Sequence, residues 1–225
     1  MYLRSAFEET RVDVLHAHVR AHPLGTFVTV VDGDITIDHF PFLISAEGGE
    51  LGSLHGHIPR ANAVWQSLDG EARAVVVFQG ADSYITPSWY PSKLEHGRVV
   101  PTWNYAVVQA SGRPRAIDDS EWLLAHLNAL TDRHEAERAE AWKVADAPAD
   151  FIERMVTQLV GIEMPIDSLV GKWKLSQNRP ETDRRGVAAG LRERGDDAAI
   201  EMAQLVEAAL DPTGFRARPS KRRTR

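Results

Sequence analysis

The first apolar pattern along the chain is helical. Leu15 and Val19 lie one turn apart within Ser5 to Ala21, and Pro23-Leu24-Gly25 predicts where that helix closes. The period then drops to two. Thr26 to Val31 is β-branched and apolar, Asp32-Gly33-Asp34 supplies a turn, and Ile35 to Ile44 returns as the second strand of a hairpin. Glu47 to Glu50 predicts another turn before a strand over Leu51 to His57, and Ala61 to Leu68 reads as a short helical segment. Further strands are expected at Ala74 to Gln79, Ser83 to Thr86 and, beyond a loop over Pro91 to Gly97, Val99 to Ala110.

Helical spacing reappears after Asp118. Asp118 and Glu121 have capping-box spacing, and Leu123, Leu127 and Leu130 form one apolar face. A second helical segment covers Ala149 to Gln158. Val160, Ile162, Met164 and Ile166 then alternate with Gly161, Glu163, Pro165 and Asp167, the signature of a half-buried strand. Gly171 to Gln177 is read as a further strand, with Lys172 and Lys174 opposite Trp173 and Leu175, so one face is cationic. Helices from about Asp183 to Leu191 and Asp196 to Leu210 close the pattern. Short strands joined by turns, with helices entering late, predict a mainly β fold: an antiparallel barrel with flanking and C-terminal helices. The expected organisation is a barrel domain over 1–180 with helices inserted at 118–158, a helical extension over 181–214, and a basic tail at 215–225 expected to be disordered.

Composition narrows the function. With no cysteine among 225 residues there is no disulfide framework, thiolate nucleophile or Cys-ligated metal. No apolar run is long enough to span a bilayer and no secretory leader is visible, so a cytoplasmic protein without membrane contact is expected. Net charge is −6, yet six of the 26 Lys and Arg residues lie in Phe215 to Arg225, leaving 20 basic against 32 acidic residues in the rest. A body this acidic is a poor binder of phosphate backbones, and direct DNA binding is not expected of it.

Ligand-binding side chains concentrate in four patches: His55-Gly56-His57-Ile58-Pro59-Arg60-Ala61-Asn62, Tyr84 to Lys93, Pro101-Thr102-Trp103-Asn104-Tyr105, and Gly171 to Pro180. All sit at or just past strand ends, the rims where barrels place binding groups. These patches, with Asp38-His39-Phe40-Pro41-Phe42-Leu43 before them, occur in the order of the motifs of the PaiB-like FMN-binding proteins, a family described as negative transcriptional regulators, and the chain resembles that family from Met1 to about Leu191. It departs from the family pattern at Arg4, Pro59, Ala63 and Gln109.

The resemblance implies a split β-barrel that forms a homodimer and holds FMN at the subunit interface. Arg60 offers a bidentate fork for the phosphate beside the Asn62 amide, with His57 adding charge if protonated and Lys172 or Lys174 a point charge. Thr102, Trp103, Asn104, Tyr105, Ser176 and Gln177 would supply the wall and polar edge that an isoalloxazine ring needs. Each also has a structural reading: Arg60 as a surface ion pair, the tryptophans as core or interface filling, Asn104 as a partner for buried backbone. Trp65 and Trp89 are candidate dimer-interface aromatics. His55 with His57, and His18 with His22, have metal-pair spacing but no third ligand, so no metal site is expected. No catalytic constellation is visible. The alternatives to a regulator are a flavin-dependent oxidoreductase, of the flavin reductase or pyridoxamine phosphate oxidase kind, and a haem protein using His39, His55 or His57.

Overall fold

The computed structural model describes residues 1–210; the basic run from Phe215 lies outside them. In chain order the elements are β1 (Glu8–Glu9), α1 (Val12–Ala21), β2 (Leu24–Val31), β3 (Asp34–Pro41), β4 (Leu43–Ser45), β5 (Ser53–Pro59), β6 (Ala74–Ile85), α2 (Ser92–His96), β7 (Thr102–Gly112), β8 (Arg115–Ile117), α3 (Ser120–Glu135), α4 (Ala149–Val156), β9 (Leu159–Lys174), α5 (Glu181–Arg194) and α6 (Asp197–Ala208). Hydrogen-bonded neighbours run β3-β2-β6-β7-β9-β5-β4, with β1 and β8 also paired to β9. Among the described residues this is a nine-stranded sheet with six α-helices.

The chain forms two compact units. One comprises Met1–His18, Gln79–Val108 and the segment from Val170 on; the other comprises Val19–Phe78 and Gln109–Leu169. Strands β6 and β9 pass from one to the other, and each changes its buried face on the way. In β6 the buried positions are 74, 76 and 78, then 81, 83 and 85; in β9 they are 160, 162, 164 and 166, with Gly161 beneath Trp122 as well, then 171 and 173. A strand buries alternate residues, so a break in parity reads as two strands. That is why the pattern predicts Ala74 to Gln79 and Ser83 to Thr86 as separate elements, and likewise Leu159 to Leu169 and Gly171 to Gln177.

The second unit is built on the β2–β3 hairpin, with Val28 opposite Ile37 and Phe27 opposite Asp38, and on β6 running antiparallel to β2. Its core is an aromatic chain, Phe27–Phe40–Phe42–Phe78, with successive ring centroids 5.5, 4.4 and 5.8 Å apart. Gly56 lies beneath it, where a Cβ would come within 2.9 Å of the Phe40 ring. In the same unit β5 pairs with β9 from Ser53–Pro165 to Pro59–Leu159.

In the first unit, α5 carries Gly186 and Gly190 against Trp89, and the fully buried Asp183 accepts from Ser92 N and Oγ at 3.1 and 2.7 Å. That contact orders the short helix α2, which a sequence reading leaves as a loop. The expected helix at Ser5 is a 3₁₀ turn over Ser5–Phe7 followed by β1; α1 begins only at Val12, after the Glu9 carboxylate accepts from Arg11 N at 2.8 Å. Asp119, not Asp118, caps α3, accepting from Glu121 N and Trp122 N. Asp118 is turned to Arg60 instead.

Candidate functional site

Three of the sequence-predicted site residues lie in the second unit, and each has its polar groups committed. Arg60 follows β5. Its guanidinium donates to Asp118 Oδ2 at 3.0 Å and Oδ1 at 2.5 Å, to Thr157 O at 2.9 Å and to Leu159 O at 3.0 Å, and it lies 5.7 Å over the Trp65 ring. The fork is therefore already filled. Asn62 accepts from Val64 N as the cap of the 3₁₀ turn Ala63–Ser67 and donates to Asp38 Oδ1 at 2.9 Å. His57 Nδ1 lies 3.1 Å from His126 Nε2, and burial pushes its pKa down, so near neutral pH it brings no positive charge to a phosphate.

The other seven lie in the first unit, split between two faces of β7 and β9. Trp103 and Tyr105 point outward with Lys172; Asn104 is fully buried on the opposite side. Ser176, at φ 64°, exchanges hydrogen bonds with the Asn104 side chain at 3.0 and 3.2 Å. Gln177 is a turn former: its Oε1 accepts from Leu175 N at 2.7 Å and its Nε2 donates to Trp173 O at 2.5 Å. Lys174 reaches from the outward face to donate to Thr102 Oγ1 and Trp103 O. Burial, and then the charge of Lys172, lower its pKa.

Thr102, Asn104, Lys174 and Ser176 come together around one cavity of about 190 Å³, completed by Arg4, Phe7, Val100, Pro101, Asn178 and Arg179. Sequence reasoning missed Arg4 and Arg179 as contributors. The departure at Arg4 was legible, but that the N-terminal segment lines this cavity follows only from β1 pairing with Lys172 and Gly171. Arg179 lies 4.7 Å over the Tyr90 ring and Arg4 5.7 Å over the Phe7 ring. Among the described residues no ion pair is formed by Arg4, Lys174 or Arg179, nor by other cations such as Arg73, Arg98 and Lys172; what sets the three apart is that they line one cavity. In a chain of net charge −6, three cations converge on a cavity lined by no carboxylate, an arrangement whose charge is complementary to an anion.

The outward face beside it is aromatic. Trp103 is half exposed, donates from Nε1 to Asp82 Oδ1 at 2.8 Å, and meets Tyr84 edge-on at 6.1 Å. The Lys172 ammonium sits 5.2 Å over Tyr105. No hydrolytic triad is formed at Ser53, His55 and Glu163. Ser53 is buried and donates to Glu47 O, and both Ser53 Oγ and Glu163 Oε1 approach the same ring nitrogen, His55 Nε2.

Residues 1–168 match the family model described as "Putative FMN-binding domain". An uncharacterised protein of Emericella nidulans is 33% identical, over 92% of this chain and 96% of its own length. The protease synthase and sporulation protein PAI 2 of Bacillus subtilis is 28% identical over 93% of this chain and 98% of its own. Among solved structures, the FAD and haem binding protein of Mycobacterium smegmatis aligns with a TM-score of 0.58 at 20% identity, covering 81% of this chain and 80% of the other. The flavocytochrome Anf3 of Azotobacter vinelandii aligns at 0.57 and 14% identity, covering 76% and 72%. At these identities the two structures establish a shared fold, the split barrel of flavin-binding proteins.

Proposed function

Since the chain belongs to the PaiB-like family of FMN-binding domains, we propose that it is a flavin-dependent regulatory protein whose cavity around Arg4, Lys174 and Arg179 receives the phosphate of FMN. FMN is the cofactor of the family, and the donor set suits it: two guanidinium groups and an ammonium for the dianion, with Thr102 and Ser176 hydroxyls beside them. The observation that carries this reading is the convergence of three cations on one cavity lined by no carboxylate.

The cavity, about 190 Å³, is smaller than the roughly 300–1,000 Å³ of sites that enclose a whole drug-sized ligand. Its residues would hold the phosphate end, and Trp103 and Tyr105 outside it would supply a wall for the isoalloxazine ring, with a second copy of the chain to complete the enclosure. When bound, the flavin supplies reversible electron and hydride chemistry. The chain's own residues bind and orient it: the three cations fix the phosphate, the Asn104–Ser176 pair holds β7 to the turn after β9, and the Trp103–Asp82 bond fixes the indole.

A second copy has a face to meet. The outward side of β2, β3 and the start of β6 carries Leu24, Val28, Val30, Ile35, Ile37, Val75 and Val77, with Leu24, Val30, Ile35 and Ile37 more than half exposed, and the pair Thr26 and His39 is its polar part. A mainly aliphatic face without carboxylates adds no local repulsion between two acidic chains, and it supports homodimerisation. The two indoles expected at a dimer interface have partners of their own. Trp89 packs on α5, and Trp65 donates to Arg60 O at 3.0 Å beneath the Arg60 guanidinium.

A cytoplasmic location is part of this reading, and among the described residues no helix is long and apolar enough to cross a membrane. Regulation here runs through ligand or protein partners, since residues 1–214 hold 20 basic against 32 acidic side chains. The exposed aromatic face also favours a second reading, a flavin-dependent oxidoreductase, which sustained NADH or NADPH oxidation by the FMN-loaded protein would establish.

Point variants test the site. Lys174→Ala and Arg179→Ala are each expected to weaken FMN about 10- to 100-fold, the scale of a lost charged hydrogen bond, while Arg60→Ala leaves affinity unchanged. The reverse pattern would return the phosphate to Arg60, with its ion pair to Asp118 opening on binding.

A further inference from the structure

Away from the cationic cavity, the second unit holds three imidazoles that flavin binding does not use, His126 buried and His55 and His57 partly buried. His55 and His57 project from the same face of β5, and α3 lies against them. From α3, His126 meets His57 through the 3.1 Å nitrogen–nitrogen contact, and Trp122 stacks on His126 at 5.3 Å and meets His55 edge-on at 5.6 Å. The Trp122 ring covers Gly161 of β9, where a Cβ would come within 2.4 Å of it. The layer is incomplete: a cavity of about 220 Å³ lies among Leu43, His55, Trp122, Ala125, His126 and Ala129.

The hydrogen bond between His57 and His126 requires one ring to donate and the other to accept. Two neutral rings satisfy it: a first added proton goes to the free nitrogen of the donating ring, keeping the bond but placing a positive charge in the layer, and a second must go to the accepting nitrogen and turns N–H against N–H. His126 Nδ1 is buried without a partner, so a proton added there finds no acceptor. The charged groups around the cluster do not relieve this. Glu163 of β9 faces His55 at 3.5 Å and is held by Arg115 of β8, Glu47 acts only on His55, and no carboxylate approaches His57 or His126 among the described residues. Among the described residues no group of three or more His, Asp or Glu side chains is placed to hold a metal ion.

We propose that this imidazole layer is an acid-operated latch: it holds α3 on β5 near neutral pH and releases α3 on mild acidification, before the β2–β3 hairpin opens. Burial agrees with the direction, lowering the pKa of His55 and His57 and taking His126 to about 4, with charge on His57 and His55 adding to the effect on His126. With α3 docked these rings bind fewer protons than with α3 free. Docking is therefore insensitive to pH above about 6.5, weakens as pH falls below it, and levels off below the docked values. Release uncovers Trp122 and the apolar positions of α3.

Hydrogen exchange of the full-length protein between pH 7 and 4.5, expressed as protection factors so that intrinsic rates cancel, tests the latch. Protection of the α3 amides is expected to fall roughly 40-fold between pH 6.5 and 4.5, the effect of one imidazole titrating at about 4 docked and about 6.5 free, while amides of β2 and β3 keep theirs. His126→Gln, which keeps a hydrogen-bonding partner for His57 without titrating, is expected to flatten that dependence. Loss of protection in α3 and the hairpin together, or none in α3, would overturn the proposal on wild-type protein alone. An unchanged pH response in His126→Gln would overturn it as well.

Discussion

At the scale of single residues, chemistry follows from which side chains are left without partners. Arg60 and Lys174 both stand in motifs that suggest phosphate, yet the Arg60 fork is filled by Asp118 and two carbonyls, whereas Lys174 has no carboxylate. No sequence pattern separates the two cases, because Asp118 lies 58 positions from Arg60. Asn104 is similar. Its place on a strand beside aromatics was legible, but its buried pairing with Ser176 depends on the left-handed turn after β9. Ser176→Ala removes the hydroxyl and leaves the buried amide unpaired, so we expect a loss of about 1–3 kcal/mol in urea unfolding. Unchanged stability would mean that water replaces the hydroxyl.

At the scale of elements, the turn of the first hairpin, the strand carrying His55 and His57, and the two C-terminal helices were legible because their periods are unbroken, whereas the returning strand expected over Ile35 to Ile44 is two, β3 pairing with β2 and β4 with β5. Strands β6 and β9 were not read as single elements, since each exchanges its buried face midway and so mimics two. Helix α2 and strand β8 were missed for another reason: at five and three residues they carry too little pattern, and they are held by Asp183 and by pairing with β9. Glycines in α5 look like weak points of a helix, but they are what admits its neighbour. A Cβ at Gly186 would come within 2.0 Å of the Trp89 carbonyl oxygen. Gly186→Ala should therefore destabilise the protein by about 1–3 kcal/mol despite alanine's better helix propensity, because the overlap is with backbone. A rise in the urea midpoint would show that α5 is not seated against that carbonyl.

At the scale of the whole molecule, the split barrel and its flavin were legible from four motifs in order, and the shared family confirms both. The surfaces were not. The aliphatic positions of β2 and β3 were seen as strand formers, but which of them face outward depends on register and on what covers the hairpin. Ile37, more than half exposed on that mainly aliphatic face, tests homodimerisation: wild-type protein is expected to sediment at about twice the 25.0 kDa chain mass at micromolar concentration, and Ile37→Lys as a single chain. Wild-type protein that sediments as a single chain would contradict the dimer. If the flavin is enclosed by two copies, the same substitution also weakens FMN although Ile37 lies far along the sequence from the cationic cavity.

The central claim is that the cavity around Arg4, Lys174 and Arg179 binds FMN by its phosphate. The most direct test is a titration of purified protein with FMN and riboflavin in parallel, followed by flavin fluorescence. FMN should bind at least about 100-fold more tightly than riboflavin, with the difference shrinking as salt is raised, because the phosphate is held by ammonium and guanidinium groups. Equal affinity for the two flavins, or a preference for FMN that Lys174→Ala and Arg179→Ala leave intact, would contradict it.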